Sequence, residues 1–416
     1  MNIKALENNG NIKVLIPRSL CALEHLANLR VNNEGFSSVE IFWDEGKVTK
    51  INSLDEEELS PNQILFPRFV ESHAHFDKSF SWKNFPNLKS NYENDLSVNL
   101  EEHITRTPRK VLERAEKSLD LAIKNGYRAI RTHIDTYIAQ DKEIWSGLFE
   151  LKKKYSHALK LQYVALAQLE FWSTSSGDFL AKELKPNNGV LGGVLVPPFK
   201  RKKIEDLLSN TLLLAKKYSL EVDLHIDESS IEPGAGINLL IKTIEKLKCE
   251  VPITCSHSSS LLFLKDRQII KLGNKLAEKN IRVIALPLTN FWLLNRDDNN
   301  IPLHRPVAPL KQLQKSFVDV SIGSDNVQDP WYPFGNFDPF YLFSYAMPML
   351  QLNPWDRLSL SALFNAPSRL LKLEWDGMVE KGCPADFVIV EGKAWADIFS
   401  GNLKRKVLIN GIWDEK

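Results

Sequence analysis

Cysteine is scarce in this sequence. The four present, Cys21, Cys249, Cys255 and Cys383, are scattered through 416 residues with no C-x-x-C pair. That spacing excludes a disulfide framework and a zinc ribbon, and it suits a reducing cytosol. Long apolar runs are missing as well. No stretch of about 18 apolar residues offers a membrane span, and the start, Met1-Asn2-Ile3-Lys4, lacks the apolar core of a signal peptide. Charge of one sign is not in excess: 53 Lys+Arg stand against 52 Asp+Glu, a formal net charge of +1. Neither nucleic acid nor a membrane is therefore expected as a partner. No Gly-x-Gly-x-x-Gly follows any apolar run, which argues against an open dinucleotide-binding sheet. A soluble, cytoplasmic protein is expected.

What is present divides the chain into three parts. Residues 1–62 read as short strands and turns, with a hairpin of 39–43 against 47–51 around Asp44-Glu45-Gly46. Residues 374–416 look alike, with apolar runs at 385–390 and 406–409. These two ends are expected to form one small β-sandwich, because chain termini often lie close together. Between them, over 63–373, apolar β-branched runs alternate with segments of helical period. The runs are 64–70, 127–135, 161–169, 190–196, 220–226, 251–256, 281–288 and 318–322. Helical spacing is clearest from Thr107 and Pro108 to Asn125-Gly126, and recurs at 204–218, 237–247 and 261–279. Eight such units predict an α/β fold, a distorted (β/α)₈ TIM barrel. The polar stretch 76–106 has no clear period and reads as a loop over the open end.

In a barrel, chemistry collects at the C-terminal ends of the strands. Those ends carry His73 and His75, His133 and Asp135, Gln168 and Glu170, His225 and Glu228, His257, Asn290, and Asp325 with Asn326. Five of the nine histidines are in that set, while His25, His103, His157 and His304 fall elsewhere. Imidazole and carboxylate donors suit Zn²⁺ or Fe²⁺, and His73, His75, His225 and Asp325 supply enough for a catalytic site with an open position. A metal so held acidifies water into a nucleophile near neutral pH. Glu228 stands where it can shuttle a proton, and His257 where it can donate to developing negative charge.

At these residues the chain resembles the metal-dependent amidohydrolase superfamily, in particular its cytosine deaminase-like branch. The matching pieces are Phe69 to Asp77; Arg131-Thr132-His133-Ile134-Asp135; Asp223 to Glu228; Ser256-His257-Ser258; and Gly323-Ser324-Asp325-Asn326 followed by Asp329-Pro330-Trp331-Tyr332-Pro333. Gly382 to Val390 matches the return to the superfamily's small β-sandwich, so the resemblance runs over about residues 60–390. It implies His73, His75, His225 and Asp325 as ligands of one Fe²⁺ or Zn²⁺, with Glu228, His257 and Asp325 catalytic. It also implies Gln168 as a reader of the substrate's carbonyl and ring nitrogen, and Trp331 as an aromatic against the ring. No lysine ends the fourth strand run, Val194-Leu195-Val196-Pro197-Pro198, so one metal is expected rather than two. Two departures bear on the substrate. Asn326 stands where cytosine deaminases carry a second aspartate, and Ala167-Gln168-Leu169-Glu170 where they carry Pro-Gln-Glu-Gly. Lys78 matches relatives that hydrolyse N-alkyl aminotriazines such as N-isopropylammelide. Asn326 and Lys78 are candidate substrate contacts.

The function implied is hydrolytic deamination of a cytosine-like ring, with water adding at the amino-bearing carbon. The alternatives are hydrolysis of an N-alkyl aminotriazine or other cyclic amidine, and, from another class, a catalytically silent binding barrel. The H-x-E and P-C-x-x-C signature of the nucleic-acid deaminases is missing. The expected partner is a small heterocycle, in a homo-oligomer.

Overall fold

The computed structural model describes residues 8–22, 29–54, 61–89, 92–136, 142–297, 299–401 and 403–414. The chain forms two compact units, one of Met1–Val70, Asp120–Ala129 and Phe337–Lys416, the other of Glu71–Leu119 and Ile130–Asn336.

The first unit holds a seven-stranded sheet built from both ends of the chain. Gly10–Pro17, Phe36–Asp44, Lys47–Ser53 and Gln63–Pro67 come from the N-terminal part; Phe387–Glu391, Arg405–Ile409 and Ile412–Asp414 come from the C-terminal part. The two parts join where Gln63–Pro67 pairs antiparallel with Phe387–Glu391, Leu65 opposite Ile389. The anticipated hairpin is there. Its two-residue turn has Glu45 at φ 49° and Gly46 at φ 72°, the paired positive values that match strand twist. A Cβ on Gly46 would lie 2.7 Å from the Asn410 carbonyl oxygen, so glycine is needed there twice over. Val14, Ile16, Val39, Ile41, Trp43, Leu65, Phe387, Ile389 and Leu408 form the apolar core beneath.

The second sheet has eight strands in sequence order among the described residues: Phe69–Ala74, Tyr127–Asp135, Lys160–Ala167, Val190–Leu195, Glu221–Ile226, Ile253–His257, Arg282–Ala285 and Val320–Ile322. The pairings from the third strand to the eighth are parallel. A parallel bridge between Ala74 and Asp325 closes the order on itself. This is the (β/α)₈ barrel. All nine residues of Tyr127–Asp135 are buried, as expected of strands covered on both faces. The helix predicted from Thr107 begins at Pro108, with Thr107 Oγ1 accepting the Lys110 N–H at 3.3 Å.

Four elements differ from the sequence-based expectation. The run 64–70 is not one barrel strand: Gln63–Pro67 pairs within the terminal sheet, and the first barrel strand is Phe69–Ala74. Residues 76–106 are not all loop: Tyr92–Ile104 is an α-helix. Its buried residues are polar, Asp95, Asn99 and Glu102, so an apolar-inward pattern does not reveal it. The helix expected over 261–279 splits into a 3₁₀ turn, Ser259–Phe263, and an α-helix, Asp266–Glu278, because Leu264 and Lys265 adopt extended backbone. The seventh strand stops at Ala285, and Pro287 starts the helix Pro287–Leu293, the position where its missing N–H is harmless. Asn290 therefore lies on that helix and not at a strand end.

One buried cation ties the barrel interior together. Arg131, fully buried, donates to Asp223 Oδ2 at 2.9 Å, Glu221 Oε2 at 2.8 Å, Gln162 Oε1 at 2.9 Å and Thr254 Oγ1 at 3.2 Å. It thus links the second strand to the third, fifth and sixth. Replacing Arg131 by Met should strip a buried carboxylate of its partner, at a cost of about 3–5 kcal/mol. A urea midpoint unchanged from wild type would contradict this account of the interior.

Candidate active site

Alternation along the first barrel strand puts His73 and His75 on one face. Their Nε2 atoms lie 3.3 Å apart. Barrel closure brings Asp325 to the same point, its Oδ1 3.5 Å from His73 Nε2 and 3.2 Å from His75 Nε2. Asp325 has φ 65°, a left-handed backbone that costs a non-glycine residue about 1 kcal/mol or more. The Asp325 N–H donates to the His73 carbonyl at 2.8 Å and holds it there. The His225 ring, from the fifth strand, has its centre 4.8 Å from those of both His73 and His257. All five residues are buried.

Hydrogen bonds behind the cluster decide which nitrogen of His73 is bare. Ser256 Oγ donates its only proton to Asp223 Oδ1 at 2.7 Å. It can then only accept from His73 Nδ1, 3.0 Å away. The proton of a neutral His73 thus sits on Nδ1, and the Nε2 lone pair faces His75 and Asp325. Glu71, fully buried, fixes the backbone: its Oε1 accepts the N–H groups of His73 and Ser324, each at 3.0 Å. His133 stacks on His73 with ring centres 3.8 Å apart, and its Nε2 is 3.6 Å from Asp223 Oδ1. It supports the cluster from below.

The donor set fits a divalent transition metal. A tetrahedral ion with bonds of about 2.0–2.1 Å keeps its donors roughly 3.3–3.4 Å apart, and the separations here are 3.2, 3.3 and 3.5 Å. Neither Asp325 oxygen has a hydrogen-bond partner, although both are buried. Burial pushes the pKa of His75 and of His225 well below the usual imidazole value, which leaves these rings neutral, as ligands must be. Burial opposes ionisation of Asp325, but His73 and His75 outweigh it and hold its carboxyl well below the usual range. Donor atoms of His73, His225 and His257, and of His73, His75 and His133, also lie within 4.8 Å of one another. His73, His75, His225 and Asp325 are the set in which imidazole nitrogens meet an ionised carboxylate.

Beside this cluster stand Glu228 and His257. Glu228 Oε1 is 3.2 Å from His257 Nδ1, and Asn290 Nδ2 donates to the same nitrogen at 3.0 Å. Burial, with Asp325 adding, raises the Glu228 pKa well above the ordinary carboxyl value. Burial pushes His257 down to about 3. Glu228 thus holds a proton beside a neutral imidazole. Because His257 Nδ1 accepts, its proton is on Nε2, a buried atom with no partner of its own. His257 also has φ 68°, a further strained backbone position in this region.

The other predicted residues lie around this centre. Lys78 is buried and engages both oxygens of Asp135 at 3.1 Å, so its ammonium is already committed within the protein. Asn326 is buried and donates to Asp329 Oδ2 at 2.8 Å. Trp331 is partly exposed, with its N–H on Asp329 Oδ1 at 3.0 Å. Gln168 follows the third strand and is exposed; Glu170 is exposed and pairs with Lys203 at 3.0 Å. His103, His157 and His304 belong to neither histidine group, and His25 falls outside the described residues. Several residues on the centre's frame carried no role in the sequence reading: Glu71, Asp77, Arg106, Asp223, Ser256 and Asp329. Period two could have flagged Asp223, which shares a face with His225, and Arg131, which shares one with His133.

The sequence model of the Amidohydrolase family matches residues 181–407, more than half of the chain. The chain belongs to the amidohydrolase family. The matched span of this amidohydrolase includes His225, Glu228, His257 and Asp325. It is 26% identical to a pterin deaminase of Rhizobium rhizogenes over 349 residues, 83% of this chain and 79% of that protein. It is 24% identical to an N-isopropylammelide isopropyl amidohydrolase of a Pseudomonas species over 375 residues, 84% and 86% of the two chains. Among solved structures, its fold is similar to that of a 5-methylcytosine deaminase of Klebsiella pneumoniae, with TM-score 0.78, 20% identity and 97% of each chain covered.

Two substitutions separate holding a metal from doing chemistry. His225→Ala should lose the metal, because it removes a ligand from a site with few to spare. Glu228→Gln should keep it and lose turnover by roughly 10²-fold or more, the scale of a positioned acid–base group. Elemental analysis alongside kcat checks both, and a Glu228→Gln enzyme with near-normal kcat would remove Glu228 from the chemistry.

Proposed function

We propose that this amidohydrolase is a hydrolytic deaminase of a small amino-substituted nitrogen heterocycle, with a ring of cytosine size as the expected substrate. The observation that carries the reading is the Glu228–His257 contact at 3.2 Å beside a donor cluster closed by Asp325. A single Fe²⁺ or Zn²⁺ held by His73, His75, His225 and Asp325 would acidify water and so supply the hydrolytic nucleophile.

The chain's own groups then handle protons. Asp325, held ionised, takes the proton that water gives up. Glu228, held protonated, gives its proton to the ring nitrogen next to the amino-bearing carbon, so that this carbon accepts oxygen without a full negative charge building on the ring. His257 offers its Nε2–H to the incoming oxygen and steadies it as the carbon becomes tetrahedral. Asp325 then passes the water's proton to the amino nitrogen, which leaves as ammonia, while the new hydroxyl gives its proton to Glu228 and the tetrahedral carbon collapses to the carbonyl. Carbon–oxygen bond formation and carbon–nitrogen cleavage thus balance with one water consumed.

Similarity to the pterin deaminase and to the 5-methylcytosine deaminase fold supports deamination of a ring amine. A second reading, removal of an alkylamine from an aminotriazine, is supported by the 24% identity to the N-isopropylammelide enzyme. The chemistry is the same; only the leaving amine differs.

Asn326 is the residue through which the ring is expected to be sorted. It donates to Asp329, whose pKa burial pushes up to about 7 while Lys78 opposes. Asn326→Asp would set two carboxyls 2.8 Å apart, and one of them would have to keep a proton. The ratio of kcat/KM for cytosine to that for pterin and for N-isopropylammelide should then change by about 10-fold or more. Ammonia or amine release from this panel by the Fe²⁺- and Zn²⁺-loaded enzyme is the test. Release from none of these rings would overturn the functional reading, and an unchanged ranking in the variant would remove Asn326 from specificity.

A further inference from the structure

The helix Tyr92–Ile104 is built inside out. Its buried stripe is Asp95, Asn99 and Glu102, at the i, i+4, i+7 spacing of one helix face. Leu96, Leu100 and Ile104 face outward and are 40%, 42% and 83% exposed. Hydrophobic burial would turn the helix the other way, so its orientation answers to the polar face.

Most of that face has an evident purpose. Arg106, just past the helix, binds Glu102 Oε2 and Asp77 Oδ2, each at 2.6 Å, Asp135 Oδ2 at 3.2 Å and Asn99 Oδ1 at 3.4 Å. Arg114 donates to Glu102 Oε1 at 2.6 Å. These bonds pin the C-terminal end of the helix to the ends of the first and second strands. The N-terminal end is pinned elsewhere. Asn94 Nδ2 donates to Asn87 Oδ1, and Asn87 Nδ2 donates to the Pro330 carbonyl at 3.2 Å, between Asp329 and Trp331. The backbone N–H groups of Phe80 and Trp82 reach the carbonyls of Val327 and Gln328. The helix therefore spans the barrel mouth from the strand ends beneath His75 and His133 to the loop after Asp325.

Asp95 alone breaks the pattern. It has no exposed surface, and neither of its carboxylate oxygens has a hydrogen-bond partner. A buried carboxylate left without donors costs stability and is retained where something else supplies them. Asp95 adjoins Asn94, whose bond through Asn87 to the Pro330 carbonyl sets this end of the helix beside Asp329, and its charge is felt by Asp329 and Glu228. Burial, with Asp329 adding and Arg296 opposing, pushes its pKa up to about 8. Without donors the group tends to keep its proton, and N–H donors from a bound ligand would favour its ionised, accepting form.

We propose that Asp95 is a substrate-binding residue that accepts hydrogen bonds from N–H groups of the bound heterocycle, and so selects rings that carry a ring N–H or second amino group beyond the amine being hydrolysed. This rests on the deaminase reading for the reaction but not for the binding. An N-alkylated ring would leave the carboxylate unpaired in the complex, the situation that a site built for hydrogen bonds rejects most strongly.

The test compares wild type with Asp95→Asn and Asp95→Ala in the metal-loaded full chain. Substrates are cytosine and 1-methylcytosine, pterin and an N-methylpterin, and N-isopropylammelide. Three readouts are taken: kcat/KM for amine release, Kd by calorimetry, and Tm. Wild type should prefer each parent ring over its methylated form. Asp95→Ala should lose about 10- to 100-fold in kcat/KM or Kd for the preferred ring, chiefly through KM, as expected for a hydrogen bond to a charged group. The preference over the methylated form should shrink towards one, metal content should hold, and Tm should rise in both variants. Unchanged kcat/KM, Kd and parent-to-methyl ratios would overturn the proposal while leaving the deaminase reading intact; a fall in Tm with unchanged ratios would do the same and assign Asp95 to the framework. Binding that depends on Asp95 without any amine release would sustain this inference and remove the deaminase reading. Binding of none of the rings would overturn both.

Discussion

The hydrogen bond from the Asp325 N–H to the His73 carbonyl closes the barrel and assembles its centre in the same step. With the bond from Ser72 Oγ to the Ile322 carbonyl at 3.1 Å, it sets the end of the eighth strand against the first and brings the Asp325 carboxylate to two imidazoles. Glu71 doubles the constraint by gathering the N–H groups of His73 and Ser324 on one oxygen. Gly323 lets the two backbones come that close: a Cβ there would lie 3.0 Å from both Glu71 Oε1 and the His73 Cβ. A donor set needs tolerances of about half an ångström, and groups fixed through strand backbone meet that more readily than groups on free loops. The left-handed φ of Asp325 is the local cost of this closure.

From His73 the constraint runs downward through Ser256 to Asp223, and from Asp223 to Arg131. Each link settles a proton. Burial opposes ionisation of Asp223, but His133 and then Arg131 outweigh it; Asp223 takes the Ser256 proton, and Ser256 accepts from His73 Nδ1. The interior cation is thus a tie between strands and one of the groups behind a tautomer three links away. A chain of this kind explains why so many charges lie under a barrel that could have been filled with leucine and valine, as the layers of such barrels usually are.

Sequence revealed the barrel because its evidence is repeated. Eight β-branched runs at regular intervals outweigh any single misplaced boundary, and the two terminal parts of the smaller sheet declared themselves by alternation and by the Glu45-Gly46 turn. Ligand candidates were legible for a related reason: the barrel turns a one-dimensional position, the strand end, into a shared point in space. What stayed hidden depends on partners far apart in sequence. Nothing local to Lys78 says that Asp135, 57 residues on, will take its ammonium. The helix Tyr92–Ile104 was hidden by its own inversion, because a stripe of Asp95, Asn99 and Glu102 carries no apolar period. Asn290 was placed at a strand end because the run 281–288 is apolar throughout, while Pro287 already starts a helix inside it.

The mouth of the barrel is therefore held by charge where the walls are held by apolar packing. Asp77, Lys78, Glu102, Arg106, Arg114 and Asp135 are joined in one network of three cations and three anions. Desolvating so many charges is costly, and their mutual attraction does little more than offset it. What the network provides is direction. Burial opposes ionisation of Asp135, but Lys78 and Arg106 hold it well below the usual range. Asp77, which shares Arg106 with Asp135, is pushed up to about 6 by burial, Arg106 opposing and Asp135 adding. The arginine is thus drawn to both strand ends, and the helix bonded to it through Glu102 has one seat. An apolar seam would tolerate a slide along the helix face; paired charges with angular preferences do not. A helix seated in this way keeps the Asp95 carboxyl buried and unpaired, while Asn99 and Glu102, the other buried residues of its inner face, are held by Arg106 and Arg114.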